Sequence, residues 1–564
     1  MRLLLGMLAI LLAVGVSHGE TDVPSRILDV FPPSVARVPA ARRGRTILSS
    51  AYSPSGSLWD KRLDERMVFQ KEIRHQQDGG NSFALRVGKG GQIYSLRGPF
   101  GESVPPSWRS GADTSPWNDE VWQFVAVCTR YNGLRASLQA GKLPEGVAAR
   151  FNSSPYKSTF FIHNSGAYIR GGASIRSLYC PLLASAATGD GRGYRTLSWG
   201  LIPQVRTVHR SPVLYYGQTR DVGDGVIELT WVVHNFSVRD DVVFDHLNAP
   251  WGGTRVSALP YRYISSPAGA LRGRREVLKN TVVGVRATGG WSLSCASEAP
   301  DSPALAFVFG RDKHLEEQLK KAADGKPHVQ FRPSLYRDWR AGEGMYRRAW
   351  KDWRTRPANS FRNYDVATVV PKLALAPGSS IWYRCFLVVH RRDKAVELAK
   401  SLVGDVDYGL ATFDAAEAPM VPVSLPRGQA AGEGPAGFEL LSRPVKGTMP
   451  VFLVEDTKTG RHAVTTDPYL FVPREKVDFG VPEGHPHHAY YGAAYGYSLD
   501  RNTCRWERLL GFGYVRKPTG GSFVRLSRRV GASLFPKADE HHLDLWVKPA
   551  GRGPNGRGGV PGVG

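Results

Sequence analysis

The clearest alternation of apolar and polar residues in the chain begins at Val226. Ile227, Leu229, Trp231 and Val233 alternate with Glu228, Thr230, Val232 and His234, the period-two signature of a β-strand. Asn235 and Ser237 supply turn chemistry. Val242, Val243 and Phe244 rebuild an apolar strand, and the chain then reaches Asp245, His246, Asn248, Pro250, Trp251, Gly252, Gly253 and Arg255. The pattern predicts two strands carrying a loop in which acid, imidazole, amide, indole and guanidinium lie close together.

Similar strand patterns recur on either side. Ser82 to Val87 and Gln92 to Arg97 flank Gly88-Lys89-Gly90-Gly91 and predict a hairpin. Strands are expected to begin near Asn81, with 20–80 as a lead-in arm. Val121 to Cys128, Ser158 to Ile162, Ser174 to Leu182, Tyr194 to Leu201 and Ser211 to Gly217 continue the series. Thr281 to Arg286, Gly290 to Cys295, Ala304 to Phe309, Val366 to Leu375 and Ser380 to His390 extend it. Helical spacing is confined to 312–323, the aromatic and basic stretch 335–354, and 392–403. A stretch rich in Ala, Pro and Gly at 404–436 reads as a linker. Strands resume over 437–550, and a Gly-rich tail closes the chain at 551–564. Many strands with few helices predict a mostly β protein: a large antiparallel sandwich at 81–403 with a smaller C-terminal β module.

Composition narrows the setting. The chain has 564 residues, enough for more than one domain, and 42% hydrophobic residues, enough for substantial cores. Arg2, the apolar run Leu3 to Val16, and Ser17-His18-Gly19 read as a secretory signal over 1–19. The expected location is therefore secreted or periplasmic. No later run is apolar and long enough to span a bilayer, so no membrane span is expected in the mature chain. Five cysteines, Cys128, Cys180, Cys295, Cys385 and Cys504, are widely spaced without a CxxC pair, which excludes zinc-ribbon and thioredoxin-type motifs. Cys128 and Cys385 sit in apolar strand patterns and read as buried thiols.

Lysine and arginine number 74 against 50 acidic residues, a net charge of +24. Such a surface attracts polyanions. For an exported chain the fitting partner is an acidic or sulfated polysaccharide rather than nucleic acid. The glycines at 88–91 do not form GxGxxG and no helix follows them, so a dinucleotide loop is not expected. Kinase, nucleotide-binding and Ser-His-Asp motifs are not evident. Oligomeric state is not legible in the sequence.

Three phrases carry a resemblance. Leu373-Ala374-Leu375-Ala376-Pro377-Gly378-Ser379-Ser380 is similar to the closing L-x-PG-x-S element of galactose-mutarotase-like β-supersandwiches. Gly91-Gln92-Ile93-Tyr94-Ser95-Leu96 resembles an early strand of that fold, and the stretch from Val226 through Asn235-Phe236-Ser237 resembles its central one. The phrases span roughly 80–390. The resemblance implies a carbohydrate-active protein of the β-supersandwich superfold, akin to lyases that cut ulvan or other uronate polysaccharides. The helical toroid that many such lyases carry ahead of the supersandwich is not expected here.

The chemistry of β-elimination requires a base for the proton alpha to a uronate carboxylate and an acid for the leaving oxygen. It also requires a group that neutralises the carboxylate. His163, Tyr168 and His246 are the candidate catalytic residues, since imidazole and a tuned phenol suit the proton work. Asn164, Trp251 and Arg255 are candidate substrate-binding residues: amide and guanidinium for the carboxylate, indole for stacking on the sugar ring. Strict alternation from Phe161 to Ile169 places His163 with Ser165 rather than Tyr168, unless Gly166 resets the register. A glycoside hydrolase would instead need two converging carboxyls, with Asp119, Glu120, Asp241 and Asp245 as candidates. A non-catalytic glycan-binding protein is the third reading. His485, His487 and His488 lie close enough to gather a metal, but an exposed histidine-rich loop is the simpler reading. Neither metal nor cofactor is expected.

Overall fold

The computed structural model describes residues 25–34, 38–50, 70–88, 92–104, 123–130, 160–163, 167–171, 174–178, 182–204, 207–236, 242–255, 258–264, 271–274, 283–284, 289–310, 334–335, 362–370, 373–413, 418–424, 437–456, 461–465, 474–478, 493–497, 505–514, 516–519, 522–526 and 545–549. Within 123–130, 160–163, 167–171, 174–178 and 242–255 it gives the backbone path. The expected helices at 312–323 and 335–354, the signal at 1–19 and the tail at 551–564 lie outside the described residues.

Antiparallel sheet dominates, as the alternation predicts. Five strands form one sheet in sequential order: Arg45–Ser50, Gln70–Gln76, Phe83–Gly88, Gln92–Gly98 and Gly101–Val104. A twelve-stranded sheet is centred on Val226–Asn235, which pairs with Thr207–Gly223 on one side and Ser379–Arg391 on the other. A seven-stranded sheet is built around Val242–Arg255, and a second seven-stranded sheet comes from the C-terminal part of the chain. Arg392–Leu402 forms the α-helix expected there.

The twelve-stranded sheet is a middle layer, with a core on each face. On one face Ile227, Leu229, Trp231 and Val233 join Tyr215, Tyr383 and Leu387 in a cluster with Ile73, Phe83, Leu85, Val87, Ile93 and Leu96 of the five-stranded sheet. Ala395, Ala399 and Leu402 of the helix close the same core. On the other face Val232, Leu214, Tyr216 and Leu197 pack against Leu441, Phe452, Leu509 and Phe512 of the C-terminal sheet. The C-terminal sheet has its own outer cluster around Phe438, Val451 and Leu453. All ten residues of Val226–Asn235 are accordingly buried, Glu228, Thr230 and His234 included. Burial of apolar area at roughly 25 cal/mol per Å² drives both interfaces.

The hairpin that leads into the central strand turns on Asp224-Gly225, both at positive φ (53° and 73°). Two such residues form the tight turn whose twist matches the flanking strands. A Cβ at Gly225 would lie 2.0 Å from the Val389 carbonyl oxygen, so glycine alone fits. Just beyond this turn the outer and middle layers are clasped by polar groups. Asp221 accepts from Thr46 Oγ1 at 2.5 Å and from the Gly223 amide at 2.9 Å, and lies 3.0 Å from His75 Nδ1. Arg192 Nη2 adds a fourth contact at 3.2 Å. A buried carboxylate this fully surrounded pins the strands of one sheet to the other.

Three expectations are corrected. The arm carries the strands Arg45–Ser50 and Gln70–Gln76, ahead of Asn81. The linker stretch carries Asp407–Thr412 and Met420–Ser424, each paired into a sheet. Asp245 to Arg255 is not a loop but part of one continuous strand, and it belongs to a different sheet from Val226–Asn235. Turn-forming residues are absorbed there as bulges. Register shifts fall between Asn248 and Trp251 and between Gly252 and Gly253. Pro250, which lacks an amide hydrogen, sits inside the first of them, where no ladder bond is required of it. Cys385 is buried and free, as expected, and Cys295 likewise.

Candidate functional site

Most of the residues singled out for chemistry are carried by one sheet. His246, Trp251 and Arg255 follow one another along Val242–Arg255. The strand Gln123–Arg130 runs beside it, pairing Asn248 with Val125 and His246 with Val127. Phe160–His163 is the next strand out, with His163 opposite the same Val125. His163 therefore lies in the row of Asn248, two strands from it. Tyr168 is on a separate two-stranded hairpin, opposite Ser177. Asn164 lies outside the described residues, as do Asp119, Glu120, Asp241 and the histidines at 485, 487 and 488. Among the described residues no cluster of three or more His, Cys, Asp and Glu could hold a metal.

A second polar constellation, not anticipated from the sequence, lies on the face of the middle sheet that receives the C-terminal layer. It occupies the end nearest the Asp224-Gly225 turn. Register places Arg195, Gln218, Thr230, Arg384 and Asp407 in one cross-strand row, and Arg220 and Glu228 in the next. Ser34 Oγ donates to Glu228 Oε2 at 2.6 Å, and Arg384 Nη2 donates to the Pro33 carbonyl at 2.7 Å. Arg195 Nε donates to Gln218 Oε1 at 2.8 Å. The Arg384 guanidinium lies 5.6 Å from the ring centre of Trp382. That indole spreads over Gly409, where a Cβ would come within 2.2 Å of its nitrogen.

Burial raises the Glu228 carboxyl above its ordinary value, against the opposing pull of Ser34, Arg384 and Arg220. Burial also pushes up Asp190, but hydrogen bonds from Arg220 and Thr188 outweigh it and hold that carboxyl low. One acid on this face is thus biased toward its neutral form and the other toward its anion. A raised carboxyl stabilises the fold below its unfolded value and withdraws that stability as pH rises through the folded value. Glu228→Gln should therefore raise the melting temperature relative to the parent by a margin that widens as pH climbs above 4.5, the ordinary value. Asp405, also raised by burial, acts equally in both proteins and drops out of that difference. Melting curves of both proteins across that range check this; parallel curves would refute it.

Farther along the same face, His234 Nδ1 and Ser380 Oγ lie 2.7 Å apart. The spacing is that of a serine nucleophile and its base, yet neither side chain is exposed. Burial lowers His234 to about 3, so it is neutral at ordinary pH. Its Nε2 has no hydrogen-bond partner, and the pair acts as a strut rather than a dyad. Glu228 and Arg384 escaped the sequence reading because a polar residue in an alternating strand reads as facing water. The usable signal was Trp382-Tyr383-Arg384, an arginine inside a long apolar strand.

These features define a layered antiparallel β protein with a polar floor on its middle sheet and a row of chemistry-bearing residues on a neighbouring sheet. No family model matches the chain, and no curated protein matches it. Among solved structures it is similar to a polysaccharide lyase at 10% identity and a TM-score of 0.26, over 69% of this chain and 41% of the lyase. A protein described as an aldose 1-epimerase from Klebsiella pneumoniae aligns at 10% identity and TM-score 0.24, over 60% of this chain and 84% of its own. A galactose 1-epimerase from Lactobacillus acidophilus aligns at 10% identity and TM-score 0.26, over 61% and 98%. The chain thus spans less than half the length of the lyase. Likenesses this distant carry no argument about activity, which rests below on the residues themselves.

Proposed function

We propose that the protein is an exported lyase that cleaves an acidic, uronate-containing polysaccharide, sulfated ulvan-like chains included, by β-elimination. The observation that supports this reading is the strand Val242–Arg255, which carries imidazole, indole and guanidinium in succession, with His163 in the same sheet. The net charge of +24 favours a polyanionic substrate. In the reaction His163, Tyr168 and His246 share the proton work. A base takes the proton alpha to the carboxylate, the bond from C4 to the glycosidic oxygen breaks, and an acid returns a proton to that oxygen. Arg255 and Asn164 offset the carboxylate charge so that the enolate forms, and Trp251 stacks on the sugar ring. Among the described residues no helix is long and apolar enough to cross a membrane.

Incubation with acidic polysaccharides separates the readings. Ultraviolet absorbance from unsaturated uronate ends supports the lyase. New reducing ends without it indicate a hydrolase, and binding without either indicates a glycan-binding protein. With a lyase in hand, His163→Ala and Tyr168→Phe should each slow turnover by at least about a hundredfold, the usual worth of a general acid or base. Their melting temperatures should stay near that of the parent. Full turnover in both variants rejects the assignment.

A further inference from the structure

Buried polar atoms in a folded protein are almost always hydrogen-bonded. The floor around Glu228 gathers several of the exceptions to that rule found among the described residues. Glu228 Oε1, Thr230 Oγ1, the Tyr216 hydroxyl and the Nε atoms of Arg384 and Arg443 are buried without a hydrogen-bond partner. Glu228 and Thr230 project from the same side of one strand, Arg384 is opposite Thr230, and Tyr216 is opposite Val232. These groups converge on one patch, with Trp382 at its border.

What lies over the patch is a short segment from the start of the described chain. Ile27 and Leu28 anchor it, fully buried with Leu183 and Ala184. Beyond them Asp29 reaches Arg195 at 3.4 Å and Arg443 at 3.7 Å. The Phe31 ring lies 5.5 Å from the Arg195 guanidinium and edge-on to Tyr216 at 6.4 Å. The Pro33 carbonyl accepts from Arg384, and the Ser34 hydroxyl donates to Glu228. Pro33 and Ser34 are exposed, and the Asp29 side chain is 61% exposed. The cover is thin, while its anchor is deep.

The segment presents a carboxylate to two arginines and a hydroxyl to Glu228, two group types that a uronic acid unit also carries. Charge points the same way. Arg220 is engaged by Asp190 at close range, and the Asp29 carboxylate comes from the segment, not from the floor. Lifting residues 29–34 removes the Asp29 carboxylate from Arg195 and Arg443 and the Pro33 carbonyl from Arg384, and guanidinium groups so released pair strongly with an incoming carboxylate.

We propose that the floor of Tyr216, Glu228, Thr230, Arg384, Arg195 and Arg443 is a binding site for an acidic sugar unit, and that residues 29–34 are its built-in competitor. The site lies on a different sheet from His163 and His246, so it holds substrate without cleaving it. It takes only its ligand class from the proposed function. An internal competitor lowers apparent affinity by the fraction of time it occupies the site.

Calorimetry on the full chain with methyl glucuronide tests this. The probe carries only a hydroxyl at C4 and no glycosidic leaving group, so the outcome is independent of whether the protein is a lyase. Asp29→Ala/Ser34→Ala should tighten binding at least about fivefold by weakening the competitor. Asp29→Asn, which keeps the shape of the segment, should tighten it less. Arg195→Gln in the double-variant background should return affinity to or below that of the parent, and neutral methyl glucoside should not bind. Unchanged affinity in both Asp29 variants, or full binding by the Arg195→Gln protein, overturns the proposal. Absence of lyase activity alongside this pattern would remove the proposed reaction and leave the site standing.

Discussion

Trp231→Ala should destabilise the fold by about 3–5 kcal/mol, the range for truncating a large buried aromatic side chain. Trp231 is 1% exposed and lies on the central strand of the middle sheet. Its ring stacks on Tyr383 at 6.3 Å and 7°, and Tyr383 in turn meets Tyr408 at 4.1 Å. Register explains the ladder. Trp231, Tyr383 and Tyr408 are direct cross-strand partners on three adjacent strands, and Gly217 on the fourth leaves room for the indole. Such pairs add about 0.5–1.5 kcal/mol beyond their buried area. Alanine would leave a void between two sheets whose backbones are fixed by their ladders, so little collapse can fill it. Denaturant unfolding of the purified variant measures the loss. A change below about 1 kcal/mol would mean that the layers are not packed through this ladder.

The second large effect is on acid stability. His234 has a folded value near 3 against an ordinary 6.5, because burial penalises its cation. For a depressed base the stability is fully present above 6.5 and is lost as pH falls toward the folded value, since the unfolded chain binds the proton first. Each unit of difference is worth about 1.4 kcal/mol, so His234 alone withdraws about 4–5 kcal/mol between those limits. His390, lowered by burial despite Asp224, contributes with the same sign. His234→Asn keeps a hydrogen-bonding group toward Ser380 but does not titrate. It should cost stability at neutral pH through lost contact with Phe413, 5.2 Å away, yet show a shallower decline from pH 6.5 downward. Urea midpoints measured across that range decide the matter: equal slopes in both proteins would exclude His234 as the acid-sensitive group.

Strand identity was legible in the sequence wherever one residue in two was apolar, as in 226–235, 83–88 and 380–390. What alternation cannot say is whether the second face meets water or another layer. Glu228, Thr230 and His234 read as a wet face, and the C-terminal part of the chain dries it. The strand Gln70–Gln76 escaped notice because Ile73 is its sole large apolar residue and its outer side is held by Glu72 with Arg74 and Arg86. The strand Val242–Arg255 was obscured by residues that normally end strands and here sit in bulges. The residue types suited to sugar chemistry were visible as such. Which of them share a sheet was not, because register between strands far apart in sequence leaves no local trace. The polar floor draws on residues from Arg195 to Arg443, a span no motif could bracket.

The double-sided middle sheet bears on how this protein could be dissected. An accessory module joined by a linker can be cut away, leaving its neighbour whole. Here removal of the C-terminal sheet would strip the cover from Leu214, Tyr216 and Val232 and open a broad greasy wall to solvent. A shortened chain ending near 436 would be prone to clump for that reason, and lost activity in it would say nothing about where the chemistry resides.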